Sequence, residues 1–371
     1  MKKTLLRIII LSLVIFYFDS CNEPIFFYVH EETPILKPAI DGSPINFAVL
    51  KNEMYVASGS KIFIYSNNKW SEWKTLGDYV MSLSAAGNSL YALYSDNDSG
   101  RIMRYYNSIG EEVNLSGNVQ SIHSSGNILF ASVRNDDNNY TVFYREEGNA
   151  DFLPLASASS SLKGIASDGA YYYLCANSGI FYVDKSQLDA SSDLPVLGKD
   201  LGFTGIIELI TGNRIAAITE NGTLYEIDMA GAEKTITETA KFSDGRSSTG
   251  ALAVWYKDKT DANPSLLLVG RKEYYYSTTT AYSNGYVEIE LDAVAGGVPA
   301  GADFIEPGKN ALSSIDNYDR YVSSLGKEPI NHMIQAPANV DPNMTLFAST
   351  QQKGLWSYRS REENWQWNSE Q

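Results

Sequence analysis

The chain has 371 residues, a formal net charge of −15 at pH 7 and two cysteines, Cys21 and Cys175. An acidic surface repels phosphate groups, which argues against nucleic acid and anionic lipid headgroups as partners but permits cations, basic proteins and neutral glycans. A chain of this length buries enough apolar surface to fold without disulfide bonds, so a disulfide framework is not expected.

The first 20 residues are predicted to be a signal peptide. Lys2, Lys3 and Arg7 precede an apolar run, 8–18, that is too short to span a bilayer stably. Removing these basic residues together with Asp19 takes away a net charge of +2 and leaves −17 on the remaining chain. The acidic character therefore belongs to the exported part.

The segment Phe18-Asp19-Ser20-Cys21 follows the apolar run. It resembles the lipobox of bacterial lipoproteins, in which a small residue precedes a cysteine that is acylated and becomes the new N-terminus. Ser20 and Cys21 fit this pattern, whereas Phe18 and Asp19 depart from it and leave plain cleavage or an uncleaved anchor as alternatives. The resemblance implies export and lipid anchoring through Cys21 to a bacterial membrane, on the periplasmic face or at the cell surface. Cys175 is expected to be a buried free thiol, with a Cys21–Cys175 disulfide as the alternative.

Residues 21–44 are predicted to be a proline-rich tether. Four prolines within this stretch disfavour regular structure and give a semi-extended spacer between the anchor and the next domain. Residues 25–29 are apolar and β-prone, and they could add a strand to the edge of that domain.

Residues 45–371 repeat one pattern and are predicted to form a single all-β domain. Each unit contains β-prone runs separated by turns with Gly or Asn, which supply the positive φ values that tight hairpins need. The second runs resemble Leu-Tyr-Ala, as in 90–92, and the third runs resemble Ile-Phe-x-Tyr, as in 62–65, with the shorter Ile-Phe-Tyr at 180–182. The period is about 40 residues, which is the spacing of propeller blades.

This pattern resembles the β-propellers, especially exported propellers of the NHL, quinoprotein and YVTN type. The resemblance implies seven four-stranded blades, with six or eight blades, or a sandwich or barrel, as alternatives. The tryptophan-containing segments 69–73 and 364–367 match each other, which predicts a chain that begins on an inner strand and ends on an outer one. We therefore expect seven complete blades and no exchange of a strand between the first and last blades. An irregular insertion is predicted near 293–325, where an eighth, degenerate blade is the alternative.

No P-loop, GxGxxG, GxSxG, HExxH or CxxC motif is present, so a non-catalytic protein without a cofactor is predicted. Asn46, His123, Glu208 and His332 fall on predicted first strands, which line the central channel of a propeller. One hypothesis is a metal site in the channel, as in a lactonase-like or hydrolase-like propeller enzyme, and a structural cation is a weaker form of it. The alternative is a set of hydrogen-bonded polar residues around a water-filled channel.

The loops between second and third strands share one face of a propeller with the loops that lead into the next blade. On this face the sequence places charged and aromatic candidates for binding: Asp96, Asp98, Arg134, Asp136, Asp137, Tyr274, Tyr275, Tyr276 and Tyr282. Exposed tyrosines are typical of binding surfaces. Alternatively, residues 274–276 belong to one long hairpin that packs on its own blade.

These features together predict a membrane-anchored cell-envelope lipoprotein whose propeller binds a protein or glycan partner. No nucleic acid is expected, and contact with the membrane is expected through the lipid alone. The alternatives are a scaffold in an envelope complex and the propeller enzyme described above.

Overall fold

The computed structural model describes residues 40–96, 99–190, 193–210, 214–229, 233–243, 245–272, 285–305, 328–351, 353–361 and 364–370. These residues form seven antiparallel sheets, of which six have four strands and one has three. In every sheet the strands pair in chain order, so each sheet is one blade built from consecutive hairpins.

The first four blades are complete four-stranded sheets. Their strands are β1 (Phe47–Leu50), β2 (Glu53–Ser58), β3 (Lys61–Ser66) and β4 (Lys69–Thr75); β5 (Val80–Ala86), β6 (Ser89–Asp96), β7 (Ser99–Tyr106) and β8 (Ile109–Val113); β9 (Asn118–Ser125), β10 (Ile128–Arg134), β11 (Tyr140–Glu146) and β12 (Leu153–Ala158); and β13 (Leu162–Ser167), β14 (Tyr171–Ala176), β15 (Gly179–Asp184) and β16 (Val196–Leu197). A 3₁₀ helix (Lys185–Ala190) lies between β15 and β16.

The last three blades follow the same order. Their strands are β17 (Phe203–Ile210), β18 (Arg214–Thr219), β19 (Thr223–Asp228) and β20 (Thr235–Lys241); β21 (Ser248–Trp255), β22 (Leu266–Arg271) and β23 (Tyr286–Glu290); and β24 (Ile330–Gln335), β25 (Leu346–Thr350), β26 (Leu355–Arg361) and β27 (Asn364–Ser369).

The tight turns explain why these short segments become hairpins. Asn67 and Asn68, between β3 and β4, have φ values of 53° and 61°. Two consecutive positive φ values give a turn whose twist matches that of the flanking strands, and Asn tolerates them better than most residues. The Gly- and Asn-containing turns seen in the sequence thus fix the hairpin register locally.

The blades close into a ring through apolar packing. Seven separate clusters of buried side chains occur among the described residues, one at each junction between neighbouring blades. The cluster that joins the last blade to the first contains Met54, Tyr65, Phe347 and Leu355. First strands contact one another around the whole ring, including β24 with β1. The prediction of an all-β propeller with seven blades is therefore confirmed.

The ring closes without exchange of a described strand, as the repeats predict. A short segment before β1 reinforces the junction between the last and first blades, although the sequence assigns it to the tether. Gly42 forms a parallel bridge with Lys353, and the amide of Leu355 donates to the carbonyl of Ile40 at 3.0 Å. The Ile40 side chain is fully buried in the apolar cluster at this junction.

Replacing Ile40 with Ala is expected to destabilise the ring. Loss of a fully buried isoleucine side chain costs about 2–5 kcal/mol, because transfer free energy is lost and a cavity remains. Ile109→Ala is the matched control, because Ile109 is 74% exposed. Urea denaturation should show a lower midpoint for Ile40→Ala and little change for Ile109→Ala. Equal midpoints would mean that the segment before β1 does not hold the ring closed.

The predicted insertion begins directly after blade 6. Its described part, 293–305, reaches the outer edge of this blade at Ile305, which exchanges two backbone hydrogen bonds with Glu288 at 2.9 and 2.7 Å. Ile305 thus occupies the position of a fourth strand beside β23, and Phe304 packs edge-on against Phe242 of blade 5. The described strands form seven blades and no eighth. No helix in the described parts of the chain is long and apolar enough to cross a membrane.

Candidate functional site

The four predicted channel residues lie on or beside first strands. His123 is in β9, Glu208 in β17 and His332 in β24, and Asn46 directly precedes β1. Asn46 and His123 line a channel cavity of about 270 Å³. The periodicity of the repeats therefore places these residues at the ring's inner edge.

Three of these side chains hydrogen-bond to the backbone of a neighbouring blade. The Asn46 amide donates to the carbonyl of Leu83 at 2.6 Å and accepts from its amide at 2.9 Å. Glu208 accepts from the backbone amide of Ser167 at 2.8 Å and from its hydroxyl at 3.1 Å. His123 Nε2 lies 3.2 Å from the carbonyl of Leu162. These contacts join first strands across blade junctions, as hydrogen-bonded channel residues do.

Gln335 makes the same kind of contact, although the sequence did not single it out. Its side chain accepts from the amide of Tyr256 at 2.7 Å and donates to its carbonyl at 3.0 Å, which joins blade 7 to blade 6. A polar residue on a predicted first strand is the signal that could have identified it.

The two channel histidines are neutral at pH 7. Burial lowers the pKa of His123 to about 4, and the charge of Lys163 contributes in the same direction. Burial also lowers the pKa of His332 to about 4, with a further contribution from His123. Neutral imidazole can bind a metal ion, but a protein site usually needs at least three ligands. Among the described residues, no three His, Cys, Asp or Glu side chains are grouped to hold a metal ion.

The predicted binding surface lies on one face of the ring. Because strands alternate in direction, the turns between second and third strands and the connections between blades lie on the same side, which we call the 2–3 face. Arg134 is the last residue of β10, and Asp136 and Asp137 lie in the turn that follows it. Asp96 is the last residue of β6. The remaining candidates lie outside the described residues: Asp98, Tyr274, Tyr275, Tyr276 and Tyr282.

The turn between β10 and β11 is braced by its own side chains. Asp137 accepts from the Asn139 amide nitrogens, at 3.0 Å from the backbone and 2.8 Å from the side chain. These hydrogen bonds hold the pKa of Asp137 below its usual value, so this carboxylate stays charged. Arg134 donates to the side-chain oxygen of Asn138 at 3.0 Å. Arg134 thus supports the turn, while Asp137 presents a fixed negative charge.

A pocket of about 520 Å³ opens on the 2–3 face between blades 3 and 4, and we call it the blade 3–4 pocket. The turn between β10 and β11 forms one wall, with Asn135, Asp137 and Asn139 lining it. Lys199 and Asp200, from the connection between blades 4 and 5, line the opposite wall. Of the predicted binding residues, Asp137 lines this pocket.

Ser178 and three apolar side chains complete the pocket. The apolar part consists of Phe181, Val196 and Ala158. The Ser178 hydroxyl is covered and has no hydrogen-bond partner among the described residues, although buried polar groups normally have one. The pocket therefore offers charged, amide, hydroxyl and apolar groups within one concave surface.

A second hollow of about 610 Å³ lies on the opposite face, beside the turns of blade 5. Arg214 pairs with Glu226 at 3.4 Å, and Glu226 also accepts from the amide of Val298 at 2.7 Å. These polar groups hold residues 293–305 against blade 5. The blade 3–4 pocket is the better candidate for a ligand, because neither Lys199 nor Asp200 has a side-chain partner among the described residues.

Comparison with known proteins supports the propeller fold but does not assign the chain to a protein family. No protein-family model and no curated protein matches this sequence. A chain in the crystal structure of the mitotic checkpoint complex is similar in structure, with a TM-score of 0.57, 12% identity, and coverage of 89% of this chain and 95% of that one. The Cps50 (Swd1) β-propeller domain of Myceliophteria thermophila is also similar, with a TM-score of 0.55, 9% identity, and coverage of 88% and 99%. At these identities the similarity concerns the fold alone: the chain is a seven-bladed β-propeller.

Proposed function

We propose that this protein is an exported lipoprotein, anchored through Cys21, whose 2–3 face binds a protein or glycan partner in the cell envelope. The observation that carries the proposal is the blade 3–4 pocket, a concave surface that combines charged and apolar groups on the predicted binding face. Pockets of this size and mixed character are where ligands usually bind.

The channel gives less support to the alternative of a propeller enzyme. Asn46, Glu208 and His123 make contacts between blades, so their polar groups already have structural partners. A general acid or base has to reach the reacting atoms of a substrate, and these contacts direct the side chains to the neighbouring backbone. A propeller that binds its partner at the 2–3 face is consistent with the structural contacts in the channel and with the blade 3–4 pocket.

The first described residues enter the propeller on the 2–3 face, which is the face proposed to bind the partner. Ser58, at the end of β2, donates to the carbonyl of Asp41 at 2.6 Å, and Gly42 pairs with Lys353 in the turn between β25 and β26. Both contacts lie on the 2–3 face. Fully extended, residues 21–39 would span at most about 70 Å. We therefore propose that the partner lies on, or close to, the same membrane.

Capture of a partner from detergent extracts of the cell envelope tests the binding face. Tyr79 is 70% exposed in the connection between blades 1 and 2, on the 2–3 face, and Tyr106 is 46% exposed on the opposite face. Tyr79→Ala, alone and combined with Ala at Tyr274, Tyr275 and Tyr282, is expected to reduce capture, because exposed aromatic residues carry much of an interface's binding energy.

Tyr106→Ala is the matched control and should capture the partner as the wild type does. Retention of the same partner by the combined variant, with an unchanged denaturation midpoint, would contradict the proposed binding face. The anchor is tested separately by mass spectrometry of Cys21. An unmodified thiol would remove the anchor from the proposal and leave the binding face untouched.

A further inference from the structure

The blade 3–4 pocket differs from a general contact surface because backbone hydrogen bonds brace both of its walls. On one wall, the amide of Asn135 donates to the carbonyl of Asn139 at 2.7 Å and closes the turn. On the other wall, the amide of Asp200 donates to the carbonyl of Ser178 at 3.0 Å. A preorganised site loses less conformational entropy on binding. The pocket is therefore suited to a small, specific ligand.

The charges of the pocket exclude several classes of ligand. Asp137 and Asp200 outnumber Lys199, and the whole chain is acidic, so phosphate, sulfate and acidic sugars would be repelled. Lipid tails fit poorly because Asp137, Lys199 and Asp200 on the two walls would lose their contact with water. These exclusions leave uncharged, polar ligands as the best match.

The hydrogen-bonding groups of the pocket match vicinal hydroxyls. An amide donates and accepts from one plane, a carboxylate accepts at both oxygens, and an ammonium donates three times. Asp200 and Lys199 supply the carboxylate and the ammonium, and Asn135, whose side chain also pairs with the Thr141 hydroxyl at 3.2 Å, supplies the amide. Each hydroxyl of a sugar both donates and accepts, so a pair of neighbouring hydroxyls can satisfy such a set.

The apolar part of the pocket matches the C–H face of a sugar ring. Val196 is 37% exposed, and it lines the pocket together with Phe181 and Ala158. One face of a pyranose ring carries mainly C–H groups, which lose contact with water when they pack on apolar side chains. A volume of about 520 Å³ is large enough for more than one sugar unit.

We propose that the blade 3–4 pocket binds a short neutral saccharide. This inference rests on the proposed function, because it names the ligand class for one part of the 2–3 face. Asn135, Asp200 and Lys199 bind the hydroxyls, and Val196 with Phe181 packs against the ring.

Binding is tested with full-length protein purified in detergent. The probe is a printed array of neutral oligosaccharides that contain glucose, galactose, mannose or N-acetylglucosamine, alongside sialylated and sulfated oligosaccharides. We expect binding to one or more neutral members and none to the acidic ones. The strongest neutral oligosaccharide is then titrated calorimetrically against the wild type and the variants.

Asn135→Ala and Asp200→Asn are each expected to weaken binding about tenfold, since the first removes the side-chain amide and the second replaces one acceptor oxygen of the carboxylate with an NH₂ donor. Asp200→Asn keeps the side-chain shape, and Asn tolerates the φ of 62° at this position, so the variant should fold normally. Asp151→Asn is the matched control, because Asp151 is exposed in the turn between β11 and β12, on the opposite face. It should bind the saccharide as the wild type does.

Three results would overturn the inference: no neutral oligosaccharide binds, an acidic one binds more tightly, or neither pocket variant weakens binding. The partner-capture experiment with Tyr79→Ala is independent of these results. Lost saccharide binding with intact capture would therefore overturn only the ligand class. Intact saccharide binding with capture that is insensitive to the combined tyrosine variant would overturn only the wider binding face.

Discussion

Gly250→Ala is expected to lower the free energy of unfolding by about 3–5 kcal/mol. Gly250 lies in β21, where the pairing with β22 is irregular, and it has a φ of 87°. A methyl group at this position would lie 2.2 Å from the carbonyl oxygen of Thr204 in the first strand of blade 5. Because this neighbour is backbone, relief requires movement of a whole strand. The penalty thus combines an unfavourable φ with a collision between two first strands.

Gly202→Ala separates these two contributions. Gly202 has a φ of 74°, but a methyl group there would meet nothing within 4 Å. This control should lose only about 1–2 kcal/mol, the cost of a left-handed backbone with a Cβ atom. Chemical denaturation of both variants measures the difference. Equal losses would show that blades 5 and 6 do not depend on this close backbone contact.

Acidification from about pH 6.5 to pH 4.5 is expected to destabilise the propeller through its channel histidines. The pKa of His123 and that of His332 are each lowered from 6.5 to about 4 by burial, so the folded protein holds both side chains neutral. Below pH 6.5 the unfolded chain binds protons that the folded chain does not bind. Stability is therefore complete above pH 6.5 and is lost as the pH falls toward 4, by up to about 3 kcal/mol for each histidine.

Urea denaturation across this pH range measures the effect. The variant with both His123→Gln and His332→Gln should have a flatter dependence between pH 6.5 and pH 4.5, because glutamine does not titrate. Carboxylates with lowered pKa values, such as Glu220 and Asp137, contribute to acid destabilisation mainly below this range. If the double variant keeps the wild-type slope, the channel histidines are not the groups responsible.

The blades were predictable because their signals are local. Tight turns require positive φ values, and residues that tolerate them, such as Asn67 and Asn68, indicate such turns in the sequence. Repetition then shows that each unit is one sheet that has to bury its faces against its neighbours. The placement of His123, Glu208 and His332 on first strands followed from the same periodicity. The boundary between the tether and the propeller could not be predicted in this way, because the burial of Ile40 depends on residues such as Phe347 at the far end of the chain.

The blade 3–4 pocket was predictable only in part. The Asp- and Asn-rich turn after β10 identified Asp137, but Lys199 and Asp200 belong to another blade connection and showed no common pattern with that turn. The contacts of Asn46 with Leu83 and of Gln335 with Tyr256 were also not foreseeable. Each depends on the height of one first strand relative to the next, which no single repeat encodes.

The sequence by itself determined the repeat, the order of strands within each blade and the face on which the blade connections lie, and it favoured seven blades over six or eight. These properties follow from turn chemistry and alternating burial, which act over a few residues. The tertiary structure decided how neighbouring blades pack, which polar side chains join them, and where two loops form the blade 3–4 pocket. Those properties depend on side chains that are distant in the chain and become neighbours only when the ring closes.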